Sequence, residues 1–222
     1  MRVAIIGATG NAGSLILKEA LNRNLAVTAI VRHPEKLEVE VPILVKDLFE
    51  LTKKDVEFFD VVIDAFRPPV GQEQMHQTSL KHLITILHGT ETRLIVVGGA
   101  SSLFVDENHR MIDLSDPNAV YYPTAYNMYQ AFLDLKAAQQ LNWTYLSPAA
   151  NFIPTGLRTG HYQVSDDRLQ KNADGKSEIS MADYAIAMID EVIEPRHLNQ
   201  HFSVYSLRKP QEKTAPEDFL FR

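Results

Sequence analysis

Val3-Ala4-Ile5-Ile6-Gly7-Ala8-Thr9-Gly10-Asn11-Ala12-Gly13 decides the fold of this chain. Four apolar residues run into a glycine, and two further glycines follow at three-residue intervals. Helical spacing of Ala12, Leu15, Ile16 and Ala20 begins at once. A strand, a tight turn and a helix are therefore expected here. Each glycine has a physical task in such a turn. Gly7 reverses the chain, Gly10 lets the backbone approach a pyrophosphate, and Gly13 lets the helix pack closely on the strand. The N–H groups and positive dipole end of the helix then face the phosphate oxygens. A bare strand-to-helix turn is the alternative, and the position of the triplet between strand and helix argues against it.

Outward from that turn, strand-like and helix-like segments alternate. Leu25–Val31, Ile43–Val45, Val61–Ala65, Arg93–Val97 and Trp143–Ser147 read as strands. Helices are expected over Asn11–Arg23, near Thr52–Phe58, around Leu80–Leu87 and over Met128–Leu141. Apolar strands alternating with helices predict a parallel sheet buried on both faces. Right-handed crossovers leave a doubly wound, Rossmann-like α/β fold as the expected topology. Asn151–Asp174 reads as loop-dominated. Ser180-Met181-Ala182-Asp183 reads as a capping box opening a helix that Pro195 ends, and Phe202–Tyr205 as a last strand. One domain over 1–222 is expected, with a dinucleotide-binding core (1–150), a substrate-side extension (151–207) and a charged tail (208–222) docked by Phe219, Leu220 and Phe221.

Composition narrows the chemistry. The 222 residues are 45% hydrophobic and 23% charged, which excludes a disordered chain. The net charge of −6 argues against a nucleic-acid or anionic-membrane surface. With no cysteine, disulfides, thiolate metal sites and a cysteine nucleophile are all excluded. No apolar run approaches the ~20 residues that span a bilayer, and no targeting segment is evident, so a cytoplasmic protein is expected. The expected partner is a small planar molecule, without nucleic acid or membrane, for a monomer or homodimer.

The end of the second strand selects the dinucleotide. NAD binders place a carboxylate there for the ribose 2′-hydroxyl, but this strand ends in Arg32, with His33 and Lys36 beside it. A guanidinium can stack on adenine and hold a 2′-phosphate, so NADP(H) is expected over NAD(H). Asp47 follows the third strand and could meet the adenine edge. Gly98, Gly99, Ala100 and Ser101 close the fifth strand at the edge where open α/β sheets bind ligands. Ser101 or Ser102 could bond nicotinamide or substrate there, or cap the next segment.

Catalytic residues are conspicuous by what is missing. A Tyr-x-x-x-Lys pair on a helix would let the ammonium lower the phenol pKa. Only Tyr205 has Lys at i+4, and it joins a terminal strand to the tail. His197 with His201, and His76, His82 and His88, lack the spacing and partners of a metal site, so none is expected. A flavin acceptor needs little acid–base help, because hydride at N5 leaves a delocalised anion. Phe104, Tyr122, Phe152, His161 and Tyr162 are candidate stacking groups, each with core packing as its alternative.

Gly7–Gly13 with Arg32, Val97–Leu103 and Trp143–Ala150 resemble the atypical short-chain reductases of the NAD(P)H-binding group, NADH-flavin reductase-like proteins above all. Biliverdin-IXβ/flavin reductases are a more distant likeness. Gly156–Tyr162, Ile179–Ala185 and Glu194–His197 extend the resemblance over residues 1 to 205. It implies NAD(P)H-linked reduction of flavins, quinones or similar planar acceptors, with flavin as a substrate. Carried over by position, Gly7, Thr9, Gly10, Asn11, Ala12 and Arg32 would hold the phosphates. Ala65, Phe66 and Gly98–Ser101 would flank the cofactor's path, and Ser147, Pro148 and Phe152 would lie beside the nicotinamide. Phe66-Arg67-Pro68-Pro69 departs from the smaller residues usual after the fourth strand. A non-catalytic NADP(H)-binding sensor is the alternative function.

Overall fold

The computed structural model describes residues 1–210. An eight-stranded sheet forms its centre, and its strands in chain order are β1 (Arg2–Ile6), β2 (Ala26–Val31), β3 (Ile43–Val45), β4 (Val61–Asp64), β5 (Arg93–Val97), β6 (Asn142–Pro148), β8 (Gln163–Ser165) and β10 (Gln200–Tyr205). Their spatial order is β3-β2-β1-β4-β5-β6-β10-β8. All neighbours are parallel except β8, which runs antiparallel along β10. Two further strands, β7 (Asn151–Ile153) and β9 (Glu178–Ser180), form a separate parallel pair. This is the Rossmann-like α/β arrangement expected from the alternation of segments.

Alternation along each strand builds two cores. Val3 and Ile5 of β1 pack with helices α1 (Asn11–Asn22) and α5 (Met181–Ile193), whereas Ala4 and Ile6 join the layer of α3 (Met75–Leu87) and α4 (Tyr122–Ala137). The short helix α2 (Lys53–Val56) contributes Val56 to the second layer. From β1 the chain proceeds to β2 on one side and later to β4 on the other, which creates a switch point at the carboxyl ends of β1 and β4. Open α/β sheets bind ligands at that crevice.

The stretch Asn151–Asp174 is loop-dominated, as expected, with two three-residue strands, β7 and β8, set within it, and β9 follows at Glu178. Strands of three residues are too short to display a period. One expectation needs correction: the capping box at Ser180 is only half made. Ser180 Oγ accepts the Asp183 N–H at 2.9 Å, but the Asp183 carboxylate accepts Thr159 N–H, Thr159 Oγ1–H and Gly160 N–H instead of reaching back to Ser180. Asp183 thus fastens Thr159 and Gly160 to the start of α5. Arg158 adds a second fastening, two bonds of 3.0 Å to the buried Glu19 carboxylate of α1. The expected docking of Phe219, Leu220 and Phe221 lies outside the described residues.

Candidate functional site

The turn after β1 is held by close contacts that only glycine permits. Gly7 has φ +76°, and a Cβ there would meet the Ala65 carbonyl oxygen at 2.5 Å. A Cβ on Gly13 would stand 2.1 Å from the Gly7 carbonyl oxygen. Gly10 N–H bonds to that same oxygen at 2.9 Å, and Gly10 itself caps α1 without a side chain. The first N–H groups of α1 are left for a ligand, as at any uncapped helix N-terminus.

Two cavities flank Gly10. The first, about 180 Å³, is lined by Gly7, Thr9, Arg32, Asp47, Ala65 and Phe66, residues that the sequence had already singled out. The second, about 150 Å³, lies along Asn11, Ser14, Lys18 and Lys36. Lys36 borders both, and among the described residues it makes no ion pair. Arg32 stands 3.5 Å from Asp47, both partly exposed. Asp47 has a second task, since its carboxylate accepts the Phe49 N–H at 2.9 Å and caps the 3-10 turn Leu48–Glu50. Lys46 is held by Asp55 at 2.8 Å. The Lys46 and Thr52 hydrogen bonds in turn hold the Asp55 carboxyl down to about 2. Glycine backbone, a helix N-terminus and two cations therefore converge on one cleft, and this donor set fits a dinucleotide phosphate.

The residues at the carboxyl ends of β5 and β6 are tightly packed. A Cβ at Gly98 would strike the Tyr145 ring at 2.4 Å, so this glycine serves packing. Gly99 and Ala100 lead into a buried 3-10 turn, Ala100–Ser102. Ser101 Oγ donates to the Ala125 carbonyl at 3.0 Å and Ser102 Oγ to the Gly99 carbonyl at 2.9 Å. Both residues are buried, and each hydroxyl donates within the protein. Ser147, in β6 before the buried Pro148, likewise turns its hydroxyl onto the Gly99 carbonyl at 2.9 Å and onto His201 Nε2 at 2.8 Å. Phe152 packs edge-on against Tyr184 at 4.8 Å between ring centroids. His161 is exposed on the loop that Asp183 holds.

Sequence reasoning passed over two buried groups. His201, which the sequence raises only as an unsuited metal ligand, lies within β10, between the Phe132 and Tyr145 rings. Burial, with the Arg110 charge second, pushes its imidazole down to about 3, so it is neutral. Alternation was the available signal, because Phe202 and Val204 face one layer and leave His201 for the other. The second is Asp64, a carboxylate closing an otherwise apolar strand and only 7% exposed. Burial pushes it up to about 6. Among the described residues no cluster could hold a metal ion. No helix there is long and apolar enough to cross a membrane.

A glycine turn between β1 and α1, placed at the switch point with cations around it, defines a dinucleotide-binding Rossmann protein. The chain belongs to the NAD(P)H-binding family, whose sequence model matches residues 7–194. It is 50% identical over 210 residues to the Bacillus subtilis protein YwnB, itself without an assigned activity, covering 93% of this chain and 99% of that one. The crystal structure of a provisionally assigned NADH-flavin reductase from Streptococcus pneumoniae is similar at TM-score 0.88 and 41% identity, over 93% of this chain and 99% of that one. A provisionally assigned epimerase from Bacteroides thetaiotaomicron is similar at TM-score 0.82 and 33% identity, over 93% and 97%.

Proposed function

We propose that this protein is an NADPH-dependent reductase that transfers hydride to a planar acceptor such as a flavin or quinone. The observation that carries the reading is the cleft around Gly10, with Arg32 at its rim beside Lys36, which makes no ion pair among the described residues. A bound dihydronicotinamide would supply the hydride. Gly7, Thr9, Gly10, Asn11, Ala12 and Gly13 would hold the pyrophosphate, Arg32 with Lys36 the 2′-phosphate, and Asp47 the adenine side. Ala65 and Phe66 would flank the middle of the cofactor, with Gly98, Gly99, Ala100, Ser147 and Pro148 shaping the wall near its reactive end. Residues 1–150 would serve as the dinucleotide core and 151–207 as the substrate side of one unit. The similarity to a provisionally assigned NADH-flavin reductase supports the choice of acceptor class, and the missing Tyr-x-x-x-Lys pair disfavours alcohol or sugar chemistry. Steady-state assays with NADPH and FMN, FAD or simple quinones test it, and no turnover with any of them overturns it.

A non-catalytic NADP(H) sensor is the second reading. The inward-turned hydroxyls of Ser101, Ser102 and Ser147 favour it, since none of them is offered to a substrate. It requires tight NADP(H) binding with no hydride transfer to any acceptor.

A further inference from the structure

Arg67 follows β4 in the stretch Phe66-Arg67-Pro68-Pro69, whose arginine has no task in the function proposed above. Its guanidinium makes no hydrogen bond or ion pair among the described residues. Glu73, the acid of the same loop, accepts the Gly71 N–H at 2.8 Å and does not pair with it. The backbone on either side is fixed. Phe66 N–H donates to Asp64 Oδ1 at 3.0 Å, the Phe66 ring meets Phe49 edge-on at 6.4 Å, and Pro68 is buried. A residue that precedes proline is also kept out of the helical region. Arg67 is therefore a free charge on a held backbone.

Strand order places that charge. β1 lies between β2 and β4, so the turn Gly7–Gly13 has the end of β2 on one side and the end of β4 on the other. Arg32 and Lys36 come from the first side and Arg67 from the second, and all three line the cavity of about 180 Å³ with Gly7, Thr9 and Gly10. Within it, Arg32 is shared with Asp47 and Lys46 with Asp55. The first turn of α1, Asn11-Ala12-Gly13-Ser14, carries no charge at all. A dinucleotide in such a cleft turns its ribose 2′-position toward the end of the second strand and lays its pyrophosphate over the helix N-terminus. Without Arg67, the pyrophosphate would meet peptide N–H groups and no cation on its β4 side. We infer that Arg67 is a pyrophosphate clamp, closing on that group from the β4 side, opposite Arg32 and Lys36. The inference rests on the dinucleotide reading of the cleft and not on the choice of acceptor.

A guanidinium suits this task, because its paired N–H donors match two phosphate oxygens and charge-assisted bonds are about twice as strong as neutral ones. The pyrophosphate is common to NADH and NADPH. Arg67 therefore strengthens the binding of both, whereas Arg32 with Lys36 serves the 2′-phosphate alone. Holding the dinucleotide and choosing between its two forms are thus assigned to different strand ends. Arg67 is a positioning residue, since it fixes the cofactor without touching a reacting atom.

The test titrates the full chain with NADPH and NADH, read by nicotinamide fluorescence, and with 2′-AMP, read by calorimetry, for wild type, Arg67→Gln and Arg67→Lys. Arg67→Gln weakens NADPH and NADH by the same factor, about tenfold or more. It leaves 2′-AMP, which has no pyrophosphate, within about threefold. NADH affinity falls less steeply with added KCl in the Gln variant than in wild type, because one ion contact is gone. Arg67→Lys keeps the charge and restores that salt dependence. Both variants melt within about 2 °C of wild type, since the side chain is exposed. Loss of NADPH affinity alone would assign Arg67 to the 2′-phosphate. Equal loss of all three ligands would assign it to the adenosine end, and unchanged affinities would leave it a solvated surface charge. Each of these three results overturns the inference. A wild type that binds neither NADPH nor NADH removes the dinucleotide reading as well, whereas one that binds both without turnover removes only the reductase and leaves the clamp standing.

Discussion

Gly13 lies directly beneath Gly7: a Cβ on Gly13 would sit 2.1 Å from the Gly7 carbonyl oxygen. The first turn of α1 and the end of β1 are thus packed backbone on backbone, and the N–H groups of α1 are aimed by that contact. Gly13→Ala must push the two apart. We expect a loss of about 1–3 kcal/mol in stability, the usual cost of overpacking, and at least tenfold weaker NADPH binding. Thermal melts and fluorescence titration check both, and an Ala variant that binds normally would show that the turn tolerates displacement.

Arg32 and Asp47 face each other at 3.5 Å across the mouth of the cleft. Arg32→Ala should weaken NADPH far more than NADH, because only the former carries the 2′-phosphate. Equal loss of the two would refute that role. Asp47→Asn should act in the opposite sense. It frees Arg32 while Asn still caps the 3-10 turn, and NADPH should bind a few-fold more tightly.

Asp183 holds Thr159 and Gly160 through three hydrogen bonds of 2.7–2.9 Å and is 1% exposed. Asp183→Ala strands two backbone N–H groups, at about 1–3 kcal/mol for each one left unsatisfied. Chemical denaturation should register the loss, accompanied by faster proteolysis within 154–177. Unchanged cleavage there would mean that the segment is held by other contacts.

The buried ionisable groups give stability a pH dependence of two signs. His76 and His201 are pushed below the ordinary 6.5, to about 4 and about 3. The unfolded chain binds their protons first, so their contribution is complete above about pH 6.5 and is lost as pH falls toward 3. Asp64 is raised from 3.8 to about 6 and works the other way: its burial cost is absent below about pH 4 and complete above 6. That cost is on the order of 3 kcal/mol at pH 7. Asp64→Asn should therefore raise the melting temperature at pH 8 and do little at pH 4. His201→Gln should flatten the acid limb, and melts across pH 4–8 decide both.

Much of this architecture could be read before any coordinates, for reasons that differ by element. The strands β1, β4 and β5 are short apolar runs buried on both faces, and composition alone marks them. The glycine turn was legible because sterics leave no substitute at Gly7 or Gly13. The residues gathered around Gly10 follow directly from that turn and the end of β2. By contrast β7, β8 and β9 have three residues apiece, and long-range pairing creates them. The roles of Ser101, Ser102 and Ser147 were not legible either, because a hydroxyl that bonds a carbonyl looks the same in sequence as one that bonds a substrate. For His201, alternation with Phe202 and Val204 gives the face, and the pairing of β10 with β6 supplies its neighbour there by setting it opposite Tyr145.

The strand order has a consequence for how the molecule is made. β10, the last strand among the described residues, is no edge strand: it lies between β6 and β8, parallel to one and antiparallel to the other. Synthesis runs from the N-terminus, and β1 to β6 can assemble as successive βα units while the ribosome is still at work. Until residues 200–205 emerge, however, β6 presents an open row of backbone donors and acceptors, the kind of surface that recruits foreign strands. The sheet is completed only after β10 has left the ribosome, so a stop codon placed just after α5 would leave a nearly complete nucleotide cleft on an aggregation-prone protein.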